Sequence, residues 1–379
     1  MPGRTVLFGA TGYTGRLVAE AMLERGMRPV LAARGREGLE ALAAELGGGL
    51  ETAVADVSDP TSVRSLVERG DVLVTTVGPF ARWGGPAAAA ASTAGAHYLD
   101  STGEPAFIRE VFERYGAAAA RTGCGMLTAF GYDWVPGNLA ASTALRRAGE
   151  DAIRVDVGYF ITGRATPSGG TRASLVGSVA SPAFAYRDGR VQTERSAKRV
   201  RGFQVGSKRR EGISVGSSEH FALPRIAPQL REVNVYLGWF GPLSRPMQAM
   251  SLGAGLPGAR RLLELAGEKL VKGSTGGPDV AARAKVGSHV VAVASDGAGR
   301  ELAEVHVTGV DGYTFTGRVL AWGAERAADG GLQGTGALGP VDAFGLVALT
   351  DGCRWAGLED EQGPAGTPSA ARPEHATLE

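Results

Sequence analysis

The first fifteen residues constrain the fold of this chain more than any other stretch. Residues 4–8 predict a strand, residues 16–25 have the periodicity of a helix, and between them stands the motif Gly-Ala-Thr-Gly-Tyr-Thr-Gly. A strand, a G-x-x-G-x-x-G turn and a helix open a dinucleotide-binding fold. The first glycine permits the tight turn, the second lets the backbone approach a pyrophosphate, and the third lets the helix pack against the strand. The residues predicted to line this phosphate site are Gly9, Thr11, Gly12, Tyr13, Thr14 and Gly15.

Strand-like and helix-like segments continue to alternate up to about Ala129. This alternation predicts an α/β fold with an N-terminal Rossmann domain, a doubly wound parallel sheet. After the first strand, the predicted strands are Pro29–Ala33, Thr52–Ala55, Asp71–Thr76, His97–Asp100 and Gly125–Ala129.

The second half of the chain changes character, because longer segments with period-two alternation replace the short apolar runs. These segments predict a second α+β domain built on a mixed or antiparallel sheet. The predicted strands are Val155–Thr162, Gly212–Phe221, Glu232–Trp239, His289–Ser295, Glu301–Val310 and Tyr313–Ala321, and the predicted helices are Ser168–Val179 and Met247–Val271. The predicted divisions are a nucleotide-binding domain at 1–135, a substrate and dimerisation domain at 136–338, a segment returning to the first domain at 339–358 and a disordered tail at 359–379.

The ends of the second and third predicted strands indicate how the adenosine half of a coenzyme is bound. Arg34 follows the second strand, which carries no carboxylate of its own. An arginine there suits a 2′-phosphate, whereas an acidic residue suits a 2′-hydroxyl, so the sequence favours NADP over NAD. Arg36 is a second candidate, and the alternative is a solvated strand-end arginine. Asp56, followed by Val57, is predicted to face the adenine, with a helix cap or turn as the alternative.

Two loops are predicted to bracket the nicotinamide, because they follow strands at the carboxyl edge of the sheet. Tyr98 and Asp133 are the candidate proton donors for a reduction, and Asp100 and Tyr132 are further candidates. The alternatives are core packing for Tyr98 and a cap for the aspartates. The loop residues predicted to contact the coenzyme are Val77, Gly78, Pro79, Ser101 and Gly103.

Together these motifs resemble the saccharopine dehydrogenase-like family, and within it the bacterial branch that includes the trans-acting enoyl reductases of polyketide-lipid assembly. The resemblance implies an NADP site lined by the first three motifs, hydride addition to an activated double bond, and possible pairing of subunits into a homodimer. Where that family often has Asp-Ser-x-Pro-Ser-Asp, this chain has Asp-Trp-Val-Pro-Gly-Asn from Asp133, so the resemblance constrains the substrate less than the coenzyme. The residues that carry it are Gly9–Gly15, Val77–Phe80, His97–Asp100 with Thr102–Glu104, and Gly131–Asp133 with Pro136.

Other classes are excluded by what the sequence lacks. No tyrosine is followed four residues later by lysine, and the first lysine is Lys198, so the proton-relay pair of a short-chain dehydrogenase is missing. Five histidines and two isolated cysteines show no metal-binding spacing. A net charge of +1 does not favour nucleic acid, and no apolar run is long enough for a membrane span. A cytoplasmic location is therefore expected.

One segment is strongly basic. Residues 187–212 carry nine lysines and arginines against three acids. Such a run is usually a solvated loop. The alternative is a docking site for an acidic acyl carrier protein or for the phosphates of coenzyme A.

The sequence thus predicts a two-domain NADP(H)-dependent oxidoreductase. The reaction implied by the resemblance is enoyl C=C reduction in secondary-metabolite or lipid biosynthesis. One alternative is C=N reduction or amino-acid dehydrogenation of the saccharopine type, which would need cationic clamps such as Arg164, Arg172 and Arg225. The other is a non-catalytic NADP-binding sensor or scaffold protein.

Overall fold

The computed structural model describes residues 3–163, 183–239, 241–253 and 276–361. The predicted helix Ser168–Val179 lies outside these ranges, and so do Arg164 and Arg172. Of the predicted helix Met247–Val271, residues 247–253 are described, and they belong to the observed helix Ser244–Gly253.

The N-terminal part of the chain forms a parallel sheet, which confirms the predicted Rossmann fold. Six strands lie in the order β6-β5-β4-β1-β2-β3, and a later strand, Gly336–Ala337, pairs in parallel beside β6. The strands are β1 (Thr5–Phe8), β2 (Val30–Ala33), β3 (Thr52–Val54), β4 (Val72–Thr75), β5 (His97–Asp100) and β6 (Gly125–Leu127).

Helices cover both faces of this sheet, which explains why its central strands are apolar throughout. All four residues of β1 and of β4 are buried, as expected for parallel strands without a solvent face. Two apolar clusters lie on the opposite faces, one around Leu7 and Val74 and the other around Val6 and Leu73. The helices of this region are α1 (Tyr13–Glu24), α2 (Arg36–Glu45), α3 (Pro60–Arg64), α4 (Phe80–Trp83), α5 (Gly85–Ala94), α6 (Pro105–Glu110), the π-helical Val111–Tyr115, α7 (Gly116–Thr122) and α8 (Val135–Ala148).

The second half of the chain builds a mixed sheet, again as predicted. Its strands follow the order β10-β11-β12-β7-β13-β14-β16, with β8 and β9 attached beside β12. The strand pair β12 and β7 is parallel, and the other pairs are antiparallel. The strands of this sheet are β7 (Arg154–Gly163), β8 (Ala183–Arg187), β9 (Arg190–Glu194), β10 (Val200–Val205), β11 (Lys208–Val215), β12 (Glu232–Leu237), β13 (Val286–Ser295), β14 (Glu301–Gly309) and β16 (Leu358–Asp360). The late strand of the first sheet, Gly336–Ala337, is β15.

The remaining helices follow β7 in the chain. Helix α8 packs against β7, β13 and β14 of the second sheet, and α9 packs against α8. These helices are α9 (Glu219–Ile226), α10 (Ser244–Gly253), α11 (Val280–Arg283), α12 (Gly312–Ala328), α13 (Pro340–Phe344) and α14 (Leu346–Ala356), with a 3-10 turn at Gly241–Leu243.

The prediction of a strand was wrong for Tyr313–Ala321 and partly wrong for Gly212–Phe221. Tyr313–Ala321 lies within helix α12, because the Asp311 carboxylate accepts hydrogen bonds from the amides of Tyr313 (2.9 Å) and Thr314 (3.1 Å) and caps the helix. Helix α12 then packs on α1 and on the first sheet. The predicted strand Gly212–Phe221 ends at Val215, and helix α9 begins at Glu219.

The last described residues contribute to both sheets. Strand β15 joins the first sheet, and β16 pairs with β14 of the second, so Glu359 and Asp360 are ordered although the sequence placed them in a tail. Residues 362–379 of that tail lie outside the described ranges. The predicted divisions at 135/136 and 338/339 stay predictions.

The glycine turn has the predicted geometry. Gly9 has φ +91°, a conformation that favours glycine, and its amide donates to the Ala32 carbonyl at 2.8 Å. A Cβ on Gly15 would overlap the Gly9 carbonyl oxygen, so α1 can lie this close to β1 only without a side chain there.

We predict that Gly15→Ala destabilises the protein, because the added methyl group meets backbone atoms that cannot move independently of β1 and α1. Overpacking of this kind typically costs about 1 to 3 kcal/mol. Urea denaturation measures the change. Gly276→Ala is the matched control, since a Cβ there would meet no atom of the described residues within 4 Å. Equal stability of the two variants would contradict the packing argument.

Candidate functional site

The start of helix α1 offers free backbone donors at the carboxyl edge of the first sheet. Thr11 and Gly12 are exposed, and the helix begins at Tyr13 with no side chain capping its first amides. Such amides bind phosphate groups. The described geometry therefore fits a dinucleotide pyrophosphate, as the sequence predicted.

Tyr13 is also held by a distant part of the chain. Its hydroxyl donates to the Pro278 carbonyl at 2.5 Å and accepts from Arg283 at 3.0 Å. Its ring meets that of Tyr313 edge-on, with 5.2 Å between centroids. Burial raises the pKa of Tyr13. The segment from Pro278 to Arg283 thus lies directly against the glycine turn.

The predicted adenosine residues stand at the ends of β2 and β3. Arg34 and Arg36 are exposed, and among the described residues neither guanidinium has a hydrogen-bond partner. The Asp56 carboxylate accepts from the amide and the hydroxyl of Ser58, both at 2.8 Å, so it closes a turn. These hydrogen bonds lower the pKa of Asp56, and the nearby charge of Arg34 lowers it further. Val57 is half-buried against the core.

The two loops predicted to bracket the nicotinamide are joined by Glu104. Its Oε1 accepts from the Phe80 amide at 2.8 Å and its Oε2 from the Ala81 amide at 2.9 Å, so it caps α4. The loop Val77–Pro79 is thereby fixed beside the loop Ser101–Gly103. Thr76 donates to the Gly9 carbonyl at 3.2 Å and connects the first loop to the glycine turn. The structure therefore brings all three predicted coenzyme-binding stretches together.

Asp100 is a structural residue at the end of β5. Its Oδ1 accepts from the amides of Thr102 (2.8 Å) and Ala129 (2.9 Å). Burial raises its pKa to about 6 despite these bonds. Tyr98 is fully buried in the apolar cluster with Leu73 and Met126, and burial raises its pKa well above the usual value. That placement favours core packing over catalysis for Tyr98.

Asp133 has a different environment. It is half-buried, and its Oδ1 is enclosed without a hydrogen-bond partner among the described residues. A Cβ on Gly103 would lie 2.7 Å from its Oδ2, so the carboxyl group packs against the second coenzyme loop. Burial raises the pKa of Asp133 to about 7. The group can therefore hold a proton at neutral pH and release it.

The sequence interpretation missed a second carboxyl group with a raised pKa, that of Glu219. Glu219 is fully buried at the start of α9, and its Oε1 accepts from the Tyr159 hydroxyl at 2.7 Å. Burial raises its pKa to about 7. The sequence showed this glutamate only as the neighbour of His220, and no local pattern marks it. His220 hydrogen-bonds with Ser217, and burial lowers its pKa to about 4.

Several basic residues of the segment 187–212 form ion pairs or hydrogen bonds with other parts of the protein. Much of the segment that was expected to be a loop forms β9, β10 and β11, and three of its arginines pair with acids. Arg199 pairs with Glu194, and Arg201 pairs with Asp156 and Glu301. Arg187 pairs with Glu232, and Arg210 donates to the Ile161 carbonyl at 2.7 Å. The basic residues that stay exposed without a described ion pair are Arg190, Lys208 and Arg209.

Metal and membrane motifs are not found in the described part of the chain. Residues 3–163, 183–239, 241–253 and 276–361 hold no group of three or more metal-binding side chains. Over the same ranges, no helix combines the length and the apolar character that a bilayer crossing requires. Cys124 and Cys353 are buried and unpaired.

Comparison with known proteins adds a domain assignment. A model of the NAD(P)H-binding family matches residues 9–113, the region that holds the glycine turn and both coenzyme loops. The chain therefore contains a nicotinamide-dinucleotide-binding domain.

Among curated proteins, a putative trans-acting enoyl reductase of Mycobacterium tuberculosis is 33% identical over 280 residues, which covers 66% of this chain and 65% of that protein. A trans-acting enoyl reductase of Mycobacterium leprae is 40% identical over 151 residues, covering 38% of this chain and 36% of that protein. The matches thus span just under two thirds of the first relative's length and about a third of the second.

Among solved structures, saccharopine dehydrogenase (L-Glu forming) of Saccharomyces cerevisiae has a TM-score of 0.57 at 12% identity, covering 95% of this chain and 99% of that one. These comparisons agree with the resemblance inferred from the motifs: the chain is similar in sequence to mycobacterial proteins named trans-acting enoyl reductases, and it has the saccharopine dehydrogenase fold.

Proposed function

We propose that the chain is an NADP(H)-dependent oxidoreductase that reduces the C=C bond of an enoyl thioester. This proposal rests on one observation: the carboxyl group of Asp133 packs against the loop at Gly103, and its pKa is raised. Reduction of an activated double bond needs a hydride at one carbon and a proton at the other, and the coenzyme supplies the hydride. The names of the mycobacterial relatives support the choice of an enoyl substrate.

The chain's own residues perform three tasks in this proposal. The amides at the start of α1 bind the pyrophosphate. Glu104 holds the two loops that place the nicotinamide. Asp133 gives its proton to the α-carbon after hydride has reached the β-carbon, and the resulting carboxylate regains a proton from solvent through its exposed side. Because Tyr98 is fully buried, we assign the proton to Asp133 rather than to Tyr98.

We further propose that the coenzyme is NADP(H) rather than NAD(H). Arg34 stands at the end of β2, exposed and without a hydrogen-bond partner among the described residues, and Arg36, two residues later, is exposed as well. A free guanidinium at this position is suited to a bidentate contact with the 2′-phosphate.

The two alternatives have less support. Imine reduction of the saccharopine type would need cations free to bind substrate carboxylates, and Arg225 instead donates to the Ala337 carbonyl at 2.6 Å and stacks over Phe112. A non-catalytic sensor or scaffold would not require a protonatable carboxyl group at the coenzyme loop. The homodimer and the cytoplasmic location stay predictions.

A substrate screen tests the reaction. We expect the purified protein to oxidise NADPH with enoyl thioesters and not with cyclic imines or 2-oxo acids. Asp133→Asn is expected to lower turnover by at least ~100-fold while NADPH still binds, since general acid catalysis contributes roughly 10²- to 10⁴-fold. Turnover of imines alone would favour the saccharopine-type alternative. Coenzyme binding without turnover of any of the three classes would favour the sensor.

A second prediction concerns coenzyme choice. Arg34→Ala is expected to weaken NADPH binding by roughly 10-fold or more, since a hydrogen bond to a charged group contributes about 1.5 to 3 kcal/mol. NADH binding should hardly change. Calorimetric titration of both coenzymes measures the difference, with Arg121→Ala, an exposed arginine on α7, as the control. An equal loss for NADPH and NADH would remove Arg34 from this role.

We also propose that the substrate is presented on an acyl carrier protein, a proposal supported by the term trans-acting in the names of the relatives. Because several arginines of residues 187–212 form ion pairs, fewer positive charges of this segment are free to attract an acidic carrier. The residues that remain available to bind an acidic carrier are the exposed Arg190, Lys208 and Arg209.

Reversal of these three charges to glutamate should raise the KM for a carrier-bound enoyl substrate by about 10-fold or more, because steering by opposite charge sets association rates. The KM for a free enoyl thioester and the affinity for NADPH should be unchanged. Steady-state kinetics with both substrates measures the contrast. An unchanged KM for the carrier-bound substrate would exclude this docking site.

A further inference from the structure

A segment from the second half of the chain lies directly against the glycine turn, and the function proposed so far gives it no role. Tyr13, the first residue of α1, donates from its hydroxyl to the Pro278 carbonyl at 2.5 Å. A Cβ on Gly277 would lie 2.5 Å from the Tyr13 ring, so the backbone of this segment rests on that ring. The segment is thus packed onto the residue that begins the phosphate-binding helix.

Arg283 brings a positive charge to this contact. Its Nη1 donates to the Tyr13 hydroxyl at 3.0 Å and to the Pro278 carbonyl at 3.1 Å. The carboxylate of Asp279 is engaged elsewhere, because it accepts from the Ala282 amide at 2.8 Å and caps α11. Among the described residues, Arg283 therefore has no carboxylate partner, and its Nε and Nη2 atoms have no hydrogen-bond acceptor.

The guanidinium of Arg283 is left with donors for an anion. It is half-buried, and a guanidinium carries five N–H groups, of which the contacts with Tyr13 and Pro278 use only those on one nitrogen. Arg16, the other arginine close to the turn on α1, pairs with Glu45 instead. A positive charge without a carboxylate partner therefore stands beside the start of α1.

Tyr13 connects this charge to the place where the coenzyme pyrophosphate is expected. Its amide is one of the free donors at the start of α1, and its hydroxyl holds Arg283. Side chains on a helix lean toward the N-terminus of that helix, which is the end that attracts anions. The Tyr13 hydroxyl therefore keeps the guanidinium of Arg283 at the phosphate-binding end of α1.

We propose that Arg283 is a coenzyme-binding residue that contacts the pyrophosphate, and that the Tyr13 hydroxyl positions it. The proposal rests on the coenzyme site proposed above and does not depend on which double bond is reduced. The guanidinium adds a full positive charge to the partial charge of the helix start. Because Arg283 and the glycine turn come from opposite halves of the chain, the bound coenzyme joins the two halves.

Titration with three ligands tests the proposal. Arg283→Ala is expected to weaken NADPH and NADH binding alike, by about 10-fold or more, because both contain the pyrophosphate and a charge-assisted hydrogen bond is lost. Arg34→Ala, in contrast, should affect NADPH alone. Adenosine 2′-monophosphate lacks the pyrophosphate, so it should bind Arg283→Ala as tightly as it binds the unchanged protein. Calorimetry measures all three affinities.

Three further variants separate a direct contact from other effects. Lys285→Ala removes an exposed positive charge two residues away and should leave every affinity unchanged. A loss equal to that of Arg283→Ala would contradict a direct contact. Arg283→Lys keeps the charge without the planar fork and should restore part of the affinity. Tyr13→Phe keeps the ring that packs on Gly277 and Tyr313 but removes the hydroxyl, so it should weaken both coenzymes by a smaller factor.

Unchanged affinity of Arg283→Ala for both coenzymes overturns the proposal. A loss confined to NADPH also overturns it, because Arg283 would then contact the 2′-phosphate, and an equal loss for adenosine 2′-monophosphate would indicate a structural role. Failure of the proposed reaction is a separate result. A protein that shows the expected binding pattern but reduces no enoyl thioester contradicts the reaction alone, whereas a protein that binds neither coenzyme contradicts both proposals.

Discussion

The close approach of helix α1 to strand β1 is the constraint on which the rest of the site depends. No Cβ fits at Gly15 because the Gly9 carbonyl oxygen occupies its place, and this contact holds the first amides of α1 at the edge of the sheet. Gly9 in turn accepts from Thr76 at 3.2 Å, which ties the loop after β4 to the turn. Glu104 then fixes that loop to the one after β5. Hydrogen bonds between two side chains and the backbone thus bring three separate sequence stretches to one edge of the sheet.

The chemistry proposed for this edge depends on a carboxyl group that is kept away from cations. Asp156, which is fully buried, pairs with Arg154 and Arg201 in the second sheet and stabilises the fold. Asp133 and Glu219 have no such partner among the described residues, and burial raises both pKa values to about 7. A buried carboxyl group without a countercharge destabilises the folded protein once it ionises. Such a cost is typical of functional sites, where perturbed pKa values concentrate.

Local signals predicted the first sheet well and the second one less well. Glycine spacing and short apolar strands are consequences of local backbone geometry, so the turn at Gly9 could be predicted from sequence. Period-two alternation predicts a strand at Tyr313–Ala321, whereas packing on α1 and the Asp311 cap make this segment a helix. The arginines of 187–212 looked like a solvated loop because their partners, such as Asp156, are distant in sequence. Glu219 was missed for the same reason: only the folded chain places it beside Tyr159.

A crystal structure of the protein with NADP⁺ bound would test the central claim most directly. The account predicts that the pyrophosphate accepts hydrogen bonds from the amides of Thr11, Tyr13 and Thr14 and that the 2′-phosphate contacts Arg34. It also predicts that the nicotinamide lies between the loops at Gly78 and Gly103, with Asp133 facing the space above its C4 atom. A coenzyme bound elsewhere, or a nicotinamide turned away from Asp133, would contradict the account.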